Sequence, residues 1–506
     1  MNLTANAHMV MLCVLLLAST VTASLHAARP HMSSLHTTAT HSTRQRLHSS
    51  MKAADDDTLS TIDREMLDIA GPALVGLAID PLAGLVDTAM IGRMCTPPDL
   101  AGVGVAIGAY NVVVRTFNFV SSATTSQVAS LAPTDAEPGT FDLAMSRGAA
   151  AALAVALTIG SALLLLLCGG SAMTLRALGV SACSQVHGPA RRYLAIRALA
   201  APASLSLMAL QGSFRGSRDT RTPLGAALLA TTLNIVLDPL LIRIWGVAGA
   251  ALATVLSQYA AVGLLWYRLV SACGEACATP HDRFLGLPRP SLADCVRIGR
   301  AGSWLTLRTL ATSVALSYSS FAAATLSATR GAAHQICFQV WLAASLLADA
   351  VAMAAQALIA QAIALVDGLR VRTIVRRTLA LGLASGFANA IVLATLSRPL
   401  VAVFSADTAV LSAAAQVWPF VVLSQPLNTL AFVADGLLFG ASDFRWCALM
   451  SVVAAVPALA AMRFAASTQG GLPCIWSGLA VFMGLRSLLG FARVWSKRGP
   501  WKKVAR

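Results

Sequence analysis

The chain has 506 residues, of which 57% are hydrophobic and only 12% are charged, and its mean hydropathy is +0.70. A soluble globular protein carries about 25% charged residues, so this composition excludes an ordinary soluble enzyme, and the high hydrophobicity excludes a disordered chain. The 37 Lys and Arg outnumber the 22 Asp and Glu, and in so apolar a chain we attribute the excess to a membrane and not to nucleic acid.

The first 60 residues differ in composition from the rest of the chain. Val10–Ala18 is a nine-residue apolar run followed by a small-x-small motif at 21–23, which is typical of a secretory signal and is too short to cross a bilayer. Ser24–Ala54 is rich in Ser, Thr, His and basic residues and contains no acidic residue, as in a transit peptide. The pattern predicts a targeting presequence over 1–60 that leads to a plastid envelope membrane. A mitochondrial or secretory-pathway membrane is the alternative.

From residue 64 onward, apolar blocks alternate with short polar breaks. The blocks are dense in Ala, Gly, Ser and Thr, which is typical of helices that pack closely in lipid. The sequence therefore predicts an all-α polytopic membrane protein with twelve transmembrane helices. We number them as spans 1 to 12, at residues 66–93, 99–132, 141–168, 188–214, 221–243, 246–269, 291–325, 331–365, 373–397, 408–437, 440–463 and 470–494.

The spans divide into an N-terminal six-helix lobe over 61–270, an interlobe loop over 271–290, and a C-terminal six-helix lobe with a basic tail over 291–506. A repeated motif supports this division. LQGSFRGSRD at Leu210–Asp219 and ADGLLFGASD at Ala434–Asp443 align at an offset of 224 residues, each after the fourth span of its half. Because an even number of helices separates them, the halves are predicted to be parallel repeats around a central cleft suited to alternating access.

Basic residues are unevenly distributed between alternate loops. The loops and flanking turns after spans 2, 4, 6, 8 and 10, together with the C-terminal tail, contain 20 Lys and Arg, and the other loops contain 8. The positive-inside rule therefore predicts that both ends of the mature chain lie on the cytoplasm-like side, which is the stroma or matrix in an organelle.

A few charged side chains fall inside the predicted spans. A charge at the centre of a membrane helix costs about 2.5–3.5 kcal/mol on insertion scales, so each one is a hypothesis of function by default. These residues are Asp80, Asp87, Arg115, Arg197, Asp238, Arg308, Asp349, Asp435 and Arg486.

The acidic residues of spans 1 and 5 have helical spacing. Asp80 and Asp87 lie two turns apart and share one face of span 1, about 10 Å apart along its axis. Asn234 and Asp238 share one face of span 5 at positions i and i+4. A cluster of Asp87, Asn234, Asp238 and Thr254 from span 6 offers oxygen ligands, which suit Na⁺ or a proton held on a carboxylate. Helix packing through polar contacts is the alternative.

Arg115 in span 2 and Arg308 in span 7 are basic side chains inside the predicted spans. Each can face the cleft and bind a carboxylate or phosphate of a solute, or form an ion pair with an intramembrane Asp. We therefore treat Arg308 as an accessory or solute-contacting residue, together with Asp80, Asp349 and Asp435.

Five separated segments resemble the multidrug and toxic compound extrusion (MATE) transporters, and most of all the DinF branch, which includes plant plastid members. The resemblance extends over about residues 64 to 495. The segments are LVDTAMIG at Leu85–Gly92, LQGSFRGSRDTRTP at Leu210–Pro223, NIVLDPLLI at Asn234–Ile242, AAHQICFQVWLAASLLADAVAMAAQ at Ala332–Gln356 and SQPLNTLAFVADGLLFGASDF at Ser424–Phe444.

The resemblance implies twelve helices in two lobes and export of organic solutes in exchange for H⁺ or Na⁺. It also implies a coupling site in the N-terminal lobe at Asp87, Asn234 and Asp238. The resemblance assigns Thr254 to the same site, although the sequence around Thr254 is less distinctive. Some branches have a Glu in span 7 where this chain has Arg308, so a second carboxylate cation site is not expected there. Plant plastid relatives are associated with small organic anions, which an Arg facing the cleft fits.

The sequence thus predicts a secondary active antiporter and not an enzyme. It is expected to need no cofactor and no metal beyond H⁺ or transient Na⁺ as the coupling ion. Its expected partners are a small organic anion or cation and the lipid bilayer, without nucleic acid, and it is expected to act as a monomer. The closest alternative is a lipid or lipid-linked precursor flippase of similar architecture. A membrane enzyme with paired acidic motifs is disfavoured, because the Asp run at 55–57 lies in the presequence.

Overall fold

A computed structural model describes most of the chain from residue 61 onward. The predicted targeting presequence over 1–60 lies outside the residues that it describes. The described residues are 61–79, 84, 87, 90–91, 94–133, 137–177, 187–273, 283–404, 407–467, 471–496 and 498–504.

Helices form nearly all of the described chain and follow the predicted spans, whose numbers we keep. Span 1 is helical over residues 61–79. The predicted edges of the other spans are matched to within a few residues in most cases. The helices are Pro97–Arg115 and Phe119–Leu131 in span 2, Leu143–Ala177 in span 3, His187–Ala198 and Ala201–Gly216 in span 4, Arg221–Trp245 in span 5, Val247–Cys273 in span 6, Leu292–Leu326 in span 7, Ala328–Ala364 in span 8, Gly368–Thr395 in span 9, Thr408–Leu423 and Gln425–Gly440 in span 10, Phe444–Ser467 in span 11 and Gly471–Trp495 in span 12.

Within the described residues, eight helices are long and apolar enough to cross a membrane, and the count is ten when spans 4 and 10 are each taken as one bent span. The two remaining spans are span 1, whose described helix over 61–79 begins with the charged residues Asp63, Arg64, Glu65 and Asp68, and span 7. Span 7 is a 35-residue helix that carries Arg297, Arg300 and Arg308. The prediction of an all-α membrane protein with two six-helix halves is confirmed.

Spans 4 and 10 are both broken in the middle, which the sequence analysis did not predict. The two segments of span 4 meet at 47° and those of span 10 at 48°. In each case the second segment begins with a proline in its first turn, Pro202 or Pro426. Proline has no N–H to continue the preceding helix, but it is well tolerated at the start of a new one. The two prolines are 224 residues apart, which is the offset of the repeat.

The aligned glycines of the repeat mark close helix contacts. A Cβ on Gly212 would lie 2.6 Å from the backbone oxygen of Ser121 in span 2, and a Cβ on Gly436 would meet the backbone oxygen of Ala352 in span 8. The fourth span of each half therefore packs against the second span of the same half at the same position. This correspondence gives the predicted parallel repeat a physical basis, since close approach of helix backbones is a main source of helix association in lipid.

The first helix of each half packs partly on the other half. Span 1 contributes Ile62, Met66 and Ile69 to a buried cluster made mainly of residues from spans 8, 9 and 10. Span 7 contributes Ile298, Ala301 and Leu305 to a cluster made mainly of residues from spans 2, 3 and 4. Spans 1 and 7 thus join the two halves, and the domain boundaries at 270 and 291 remain a prediction from the sequence.

Polar contacts between the halves lie at the end of the molecule that carries the basic loops. Gln356 of span 8 donates through Nε2 to the Ser122 oxygen at 2.7 Å and to Ser126 Oγ at 3.0 Å, both in span 2. Ser126 Oγ also donates to the Phe439 oxygen of span 10 at 2.6 Å. Gln361 Nε2 reaches the Pro133 oxygen at 3.0 Å.

Ion pairs at the start of span 1 add to these contacts. One carboxylate oxygen of Glu65 lies 2.8 Å from Arg370 of span 9, and the other lies 3.7 Å from Arg218 after span 4. Asp63 pairs with Arg377 at 2.9 Å. These bonds join the two halves at the basic end.

Three small elements outside the predicted spans complete the described chain. The interlobe loop contains an antiparallel hairpin of β1 (Arg283–Phe284) and β2 (Leu287–Pro288). A short helix, Ser397–Phe404, precedes span 10. The basic tail forms a 3₁₀ helix, Gly499–Val504, which packs on spans 8 and 9 and whose Trp501 is buried.

Candidate functional site

The predicted coupling residues of the N-terminal half come together in the structure. Asn234 and Asp238 lie on the buried face of span 5 with Ala226 and Ile242, because these residues recur at about one helical turn. Asp238 is 1% exposed and accepts a hydrogen bond of 3.4 Å on Oδ1 from Asn234 Nδ2. The carboxyl group of Asp87 from span 1 faces that of Asp238.

This carboxyl pair has unmet hydrogen-bonding capacity. Asp87 Oδ1 and Asp238 Oδ2 are both buried, and neither accepts a hydrogen bond from any described residue. Buried polar atoms are nearly always paired in folded proteins. Two carboxylate oxygens are acceptors only, so they face each other favourably when a proton or a cation lies between them.

Thr254 lies beside the site, but its hydroxyl group already has a hydrogen-bond partner. Its hydroxyl donates to the Ala250 oxygen at 3.0 Å within span 6, and it lies close enough to interact with Tyr193 of span 4. Tyr193 is buried and close enough to Asp87 and Asp238 to interact with both charges. The sequence analysis did not predict Tyr193, because a tyrosine in an apolar helix has no distinctive spacing.

Arg197 lies one helical turn beyond Tyr193 and is 9% exposed. It donates through Nη1 to Gln258 Oε1 at 3.1 Å, and its guanidinium carbon lies 4.3 Å from the centre of the Tyr110 ring. The sequence showed Arg197 as a charge within a span but assigned it no role. Gln258 was not predicted at all, since neutral polar residues are common in such helices.

Two other predicted residues cannot be placed. Asp80 lies outside the described residues, and the side chain of Arg115 does as well. Their predicted roles stay predictions.

A second group of charges is buried in the C-terminal half. Arg308 of span 7 and Arg486 of span 12 both donate to Asp435 Oδ2 of span 10, and the Cys447 thiol lies 3.4 Å from Asp435 Oδ1. Asp435 is 3% exposed and Arg486 is 1% exposed. The ion-pair alternative for Arg308 is therefore the arrangement that the structure contains, and Arg486 is a partner that the sequence did not identify.

Asp349 of span 8 is half-buried and interacts electrostatically with Arg308 and Arg486. With Asp349 ionised, two acidic and two basic groups balance in this cluster. The predicted accessory residues Arg308, Asp349 and Asp435 thus lie together, on the other half of the molecule from the Asp87–Asp238 pair. Among the described residues, no three His, Cys, Asp or Glu are placed to hold a metal ion.

A two-halved helical bundle with charge clusters buried inside apolar spans is typical of membrane transporters. The MatE family model matches residues 72–240 and 306–462, which is one segment in each half. The chain belongs to the MatE family. Its members are multidrug and toxic compound transporters and not enzymes, and they require no cofactor.

Two curated relatives are similar over most of the chain. Protein DETOXIFICATION 44, chloroplastic, from Arabidopsis thaliana is 36% identical, and the alignment covers 89% of this chain and 85% of that protein. DNA damage-inducible protein F from Escherichia coli K12 is 27% identical, over 88% of this chain and 95% of that protein. These matches confirm the predicted family and its DinF branch. The chloroplastic relatives confirm the prediction of a multi-pass protein of a plastid envelope membrane.

Solved structures confirm the fold. A MOP superfamily transporter from Pyrococcus furiosus, described as having a binding pocket of reverse polarity, superposes with a TM-score of 0.76 and 18% identity, over 87% of this chain and 96% of that one. A MATE transporter in the outward-facing conformation gives a TM-score of 0.75 at 17% identity, over 87% and 95% of the two chains.

Proposed function

We propose that this transporter is a secondary antiporter that exports a small organic solute in exchange for H⁺ or Na⁺, with the ion bound at Asp87 and Asp238. The observation that carries the proposal is the pair of buried carboxylate oxygens that accept no hydrogen bond from the residues that the structure describes. Desolvated carboxylates that face each other bind a monovalent cation or a proton strongly. A passive channel has no use for such a pair.

Asn234 and Thr254 have supporting roles in this proposal. Asn234 donates a hydrogen bond to the Asp238 carboxylate and so orients it. The two side chains lie on the same face of span 5 because they are at positions i and i+4. Thr254 interacts with Tyr193 beside the pair. Ion binding at a site shared by spans 1 and 5 then favours one arrangement of these helices over another, as coupling requires.

Alternating access is supported by the contacts between the halves. The bonds from Gln356, Gln361 and Glu65 close the basic end and involve side chains that can dissociate without breaking helical hydrogen bonds. We propose that release of these contacts opens the cleft to the stroma. One chain contains both halves of the cleft, so we expect a monomer to suffice.

The C-terminal cluster bears on the charge of the solute. Two guanidinium groups converge on Asp435, and guanidinium groups are well suited to bind carboxylates. A cationic solute needs a free acidic side chain to bind, and at this position it would instead be repelled by the positive charge of Arg308. We therefore propose an organic anion that binds beside Arg308, with Asp349 and Asp435 as the acids that balance the cluster between solutes.

The test uses the full chain in proteoliposomes with an internal pH-sensitive dye. A pH gradient without Na⁺ and then a Na⁺ gradient at constant pH are imposed, with an aromatic carboxylate and an organic cation as probes. We expect the carboxylate to dissipate one of the gradients. Asp87→Asn and Asp238→Asn should each abolish this exchange, while Asp68→Asn, an exposed acid of span 1, should leave it unchanged.

Uphill efflux that persists in both variants would contradict the coupling assignment. Unchanged carboxylate transport by Arg308→Glu would contradict the anion assignment. If no probe dissipates either gradient but labelled lipids cross between leaflets, the flippase alternative replaces the antiporter.

A further inference from the structure

Arg197 is a buried basic side chain beside the coupling pair, and the proposed exchange does not yet use it. It is 9% exposed, in a helix where a charge is costly. A positive charge at this position influences any ion that binds at Asp87 and Asp238. The size of this influence depends on how firmly the guanidinium group is held and which charges it faces.

Spans 4 and 6 carry polar residues at matching intervals. Tyr193 and Arg197 are four residues apart in span 4, and Thr254 and Gln258 are four residues apart in span 6. Arg197 bonds with Gln258 at 3.1 Å, and Tyr193 interacts with Thr254 and with both carboxyl groups of the pair. Four residues of helix rise about 6 Å. The guanidinium group therefore lies about one helical turn from Tyr193, which borders the carboxyl pair.

The guanidinium group is fixed from several sides. Gln258 Oε1 also accepts from Ser204 Oγ at 2.8 Å, and Ser204 bonds with the Tyr110 hydroxyl at 2.8 Å. The Tyr110 ring lies under the guanidinium plane. Arg197 is also in the last turn of the first segment of span 4, where the free carbonyl groups favour a cation.

All of these immediate contacts are with neutral groups. No carboxylate among the described residues lies within ion-pair distance of Arg197. Its charge therefore acts on the nearest acids through space, and Asp87 is one of the groups on which it acts. The other titratable groups that face this region are Asp238, Tyr193 and, behind the guanidinium group, Tyr110 with Tyr259.

The charge balance of the cluster follows from these contacts. With one proton shared by the two carboxyl groups, the cluster of Asp87, Asp238 and Arg197 is neutral, and it is −1 after the proton leaves. Without Arg197 the same step would run from −1 to −2. A net charge of −2 in a desolvated site is far less stable than −1, so the last proton would be retained.

We propose that Arg197 is a positioning residue of the coupling site whose fixed positive charge allows the Asp87–Asp238 pair to release its shared proton. The inference rests on the proposed antiport and makes H⁺ the coupling ion. Na⁺ is disfavoured because it would share the site with a guanidinium group and with the Nδ2 donor that Asn234 directs at Asp238. Arg197 itself touches neither the solute nor the proton.

The experiment measures protons released when the aromatic carboxylate binds to the purified full-length protein, by calorimetry in buffers of different ionisation enthalpy across a range of pH. Arg197→Gln should move the release profile to higher pH by about one unit or more, a tenfold change in proton concentration. Arg197→Lys keeps the charge and should stay near the wild-type profile. Arg192→Gln, an exposed residue of the same helix, should not shift it.

Gln258→Glu provides a second variant that keeps Arg197 in place. The new carboxylate would pair with the guanidinium group and cancel its charge, so the profile should again move to higher pH. A merely structural role of Arg197 predicts the opposite pattern, because an added ion pair holds the side chain at least as firmly. The inference is overturned if Gln258→Glu and Arg197→Gln both keep the wild-type profile, or if Arg197→Lys shifts as far as Arg197→Gln.

Failure of the proposed function gives a different result. If the wild-type protein releases no proton on binding and exchanges no solute, the antiport proposal is lost. If it exchanges solute against Na⁺ alone, the antiport remains and the role of Arg197 is overturned.

Discussion

Single charged residues in the spans divide into two kinds according to their partners. Asp435 is fully engaged, with two guanidinium groups and a thiol around it. Asp87 and Asp238 each retain a buried oxygen that has no donor within the described part of the chain. The first arrangement is stable by itself, and the second is completed by an ion, so the two clusters are expected to respond differently to neutralisation.

Asp435→Asn should destabilise the folded protein strongly. It leaves Arg308 and Arg486 buried without a counter-charge, and loss of one partner of a buried pair costs about 3–5 kcal/mol. The expected result is a large fall in the thermal unfolding temperature in detergent. Asp238→Asn should have a much smaller effect, because it removes a charge that lacks an ion-pair partner among the described residues.

A second substitution, in one of the arginines that bind Asp435, tests whether charge imbalance causes this loss of stability. Asp435→Asn combined with Arg308→Gln removes one charge of each sign and should recover part of the lost stability. If the double variant is no more stable than Asp435→Asn alone, charge imbalance is not the reason for the loss.

At the scale of helices, the sequence predicted the number, order and approximate edges of the spans, because a bilayer requires each one to be a long apolar segment. It did not predict the breaks in spans 4 and 10. Pro202 and Pro426 lie within continuous apolar segments, and a proline in such a segment either kinks a helix or begins a new one. The choice depends on which neighbouring groups satisfy the freed carbonyls.

Gly212→Ala should weaken the packing of span 4 on span 2. The added Cβ would meet the Ser121 backbone oxygen at 2.6 Å, and that atom cannot move without shifting a helix. Overpacking of this kind costs about 1–3 kcal/mol. The free energy of unfolding in mild detergent, from a denaturant titration, is the measurement.

Gly263→Ala is the control for this prediction. Nothing lies within 4 Å of a Cβ at Gly263, which is also inside a long helix. Alanine has a higher helix propensity than glycine by about 1 kcal/mol, so this variant should be neutral or more stable. Equal destabilisation by both substitutions would show that the contact with Ser121 is not the cause.

At the scale of the whole molecule, closure of the basic end depends on a few side chains. Glu65 contacts Arg370 and Arg218, and so joins span 1 to both halves. Exposed ion pairs contribute up to about 1 kcal/mol each, which is enough to change the population of a transporter that alternates between two states of similar energy.

Glu65→Gln should therefore open the basic end more often. A cysteine introduced by Ser122→Cys, in a background where exposed Cys168 is replaced by Ser, should react about two- to fivefold faster with a membrane-impermeant maleimide from that side, as expected for a loss of about 0.4–1 kcal/mol. Glu137→Gln, an exposed acid at the same end, should leave the rate unchanged. An unchanged rate in Glu65→Gln would mean that the contact does not control closure.

The sequence by itself determined the membrane class, the twelve spans, the parallel repeat and the identity of the carboxyl pair, since composition, apolar length and helical spacing are properties of neighbouring residues. Asp87 and Asp238 could be named because a charge within an apolar span is conspicuous. Only the tertiary structure decided that Arg308 and Arg486 both bind Asp435, that Arg197 binds neutral partners beside the carboxyl pair, and that spans 1 and 7 pack across the halves. These facts depend on which helix faces meet, and residues that are 50 to 300 positions apart carry no local pattern that specifies their contact.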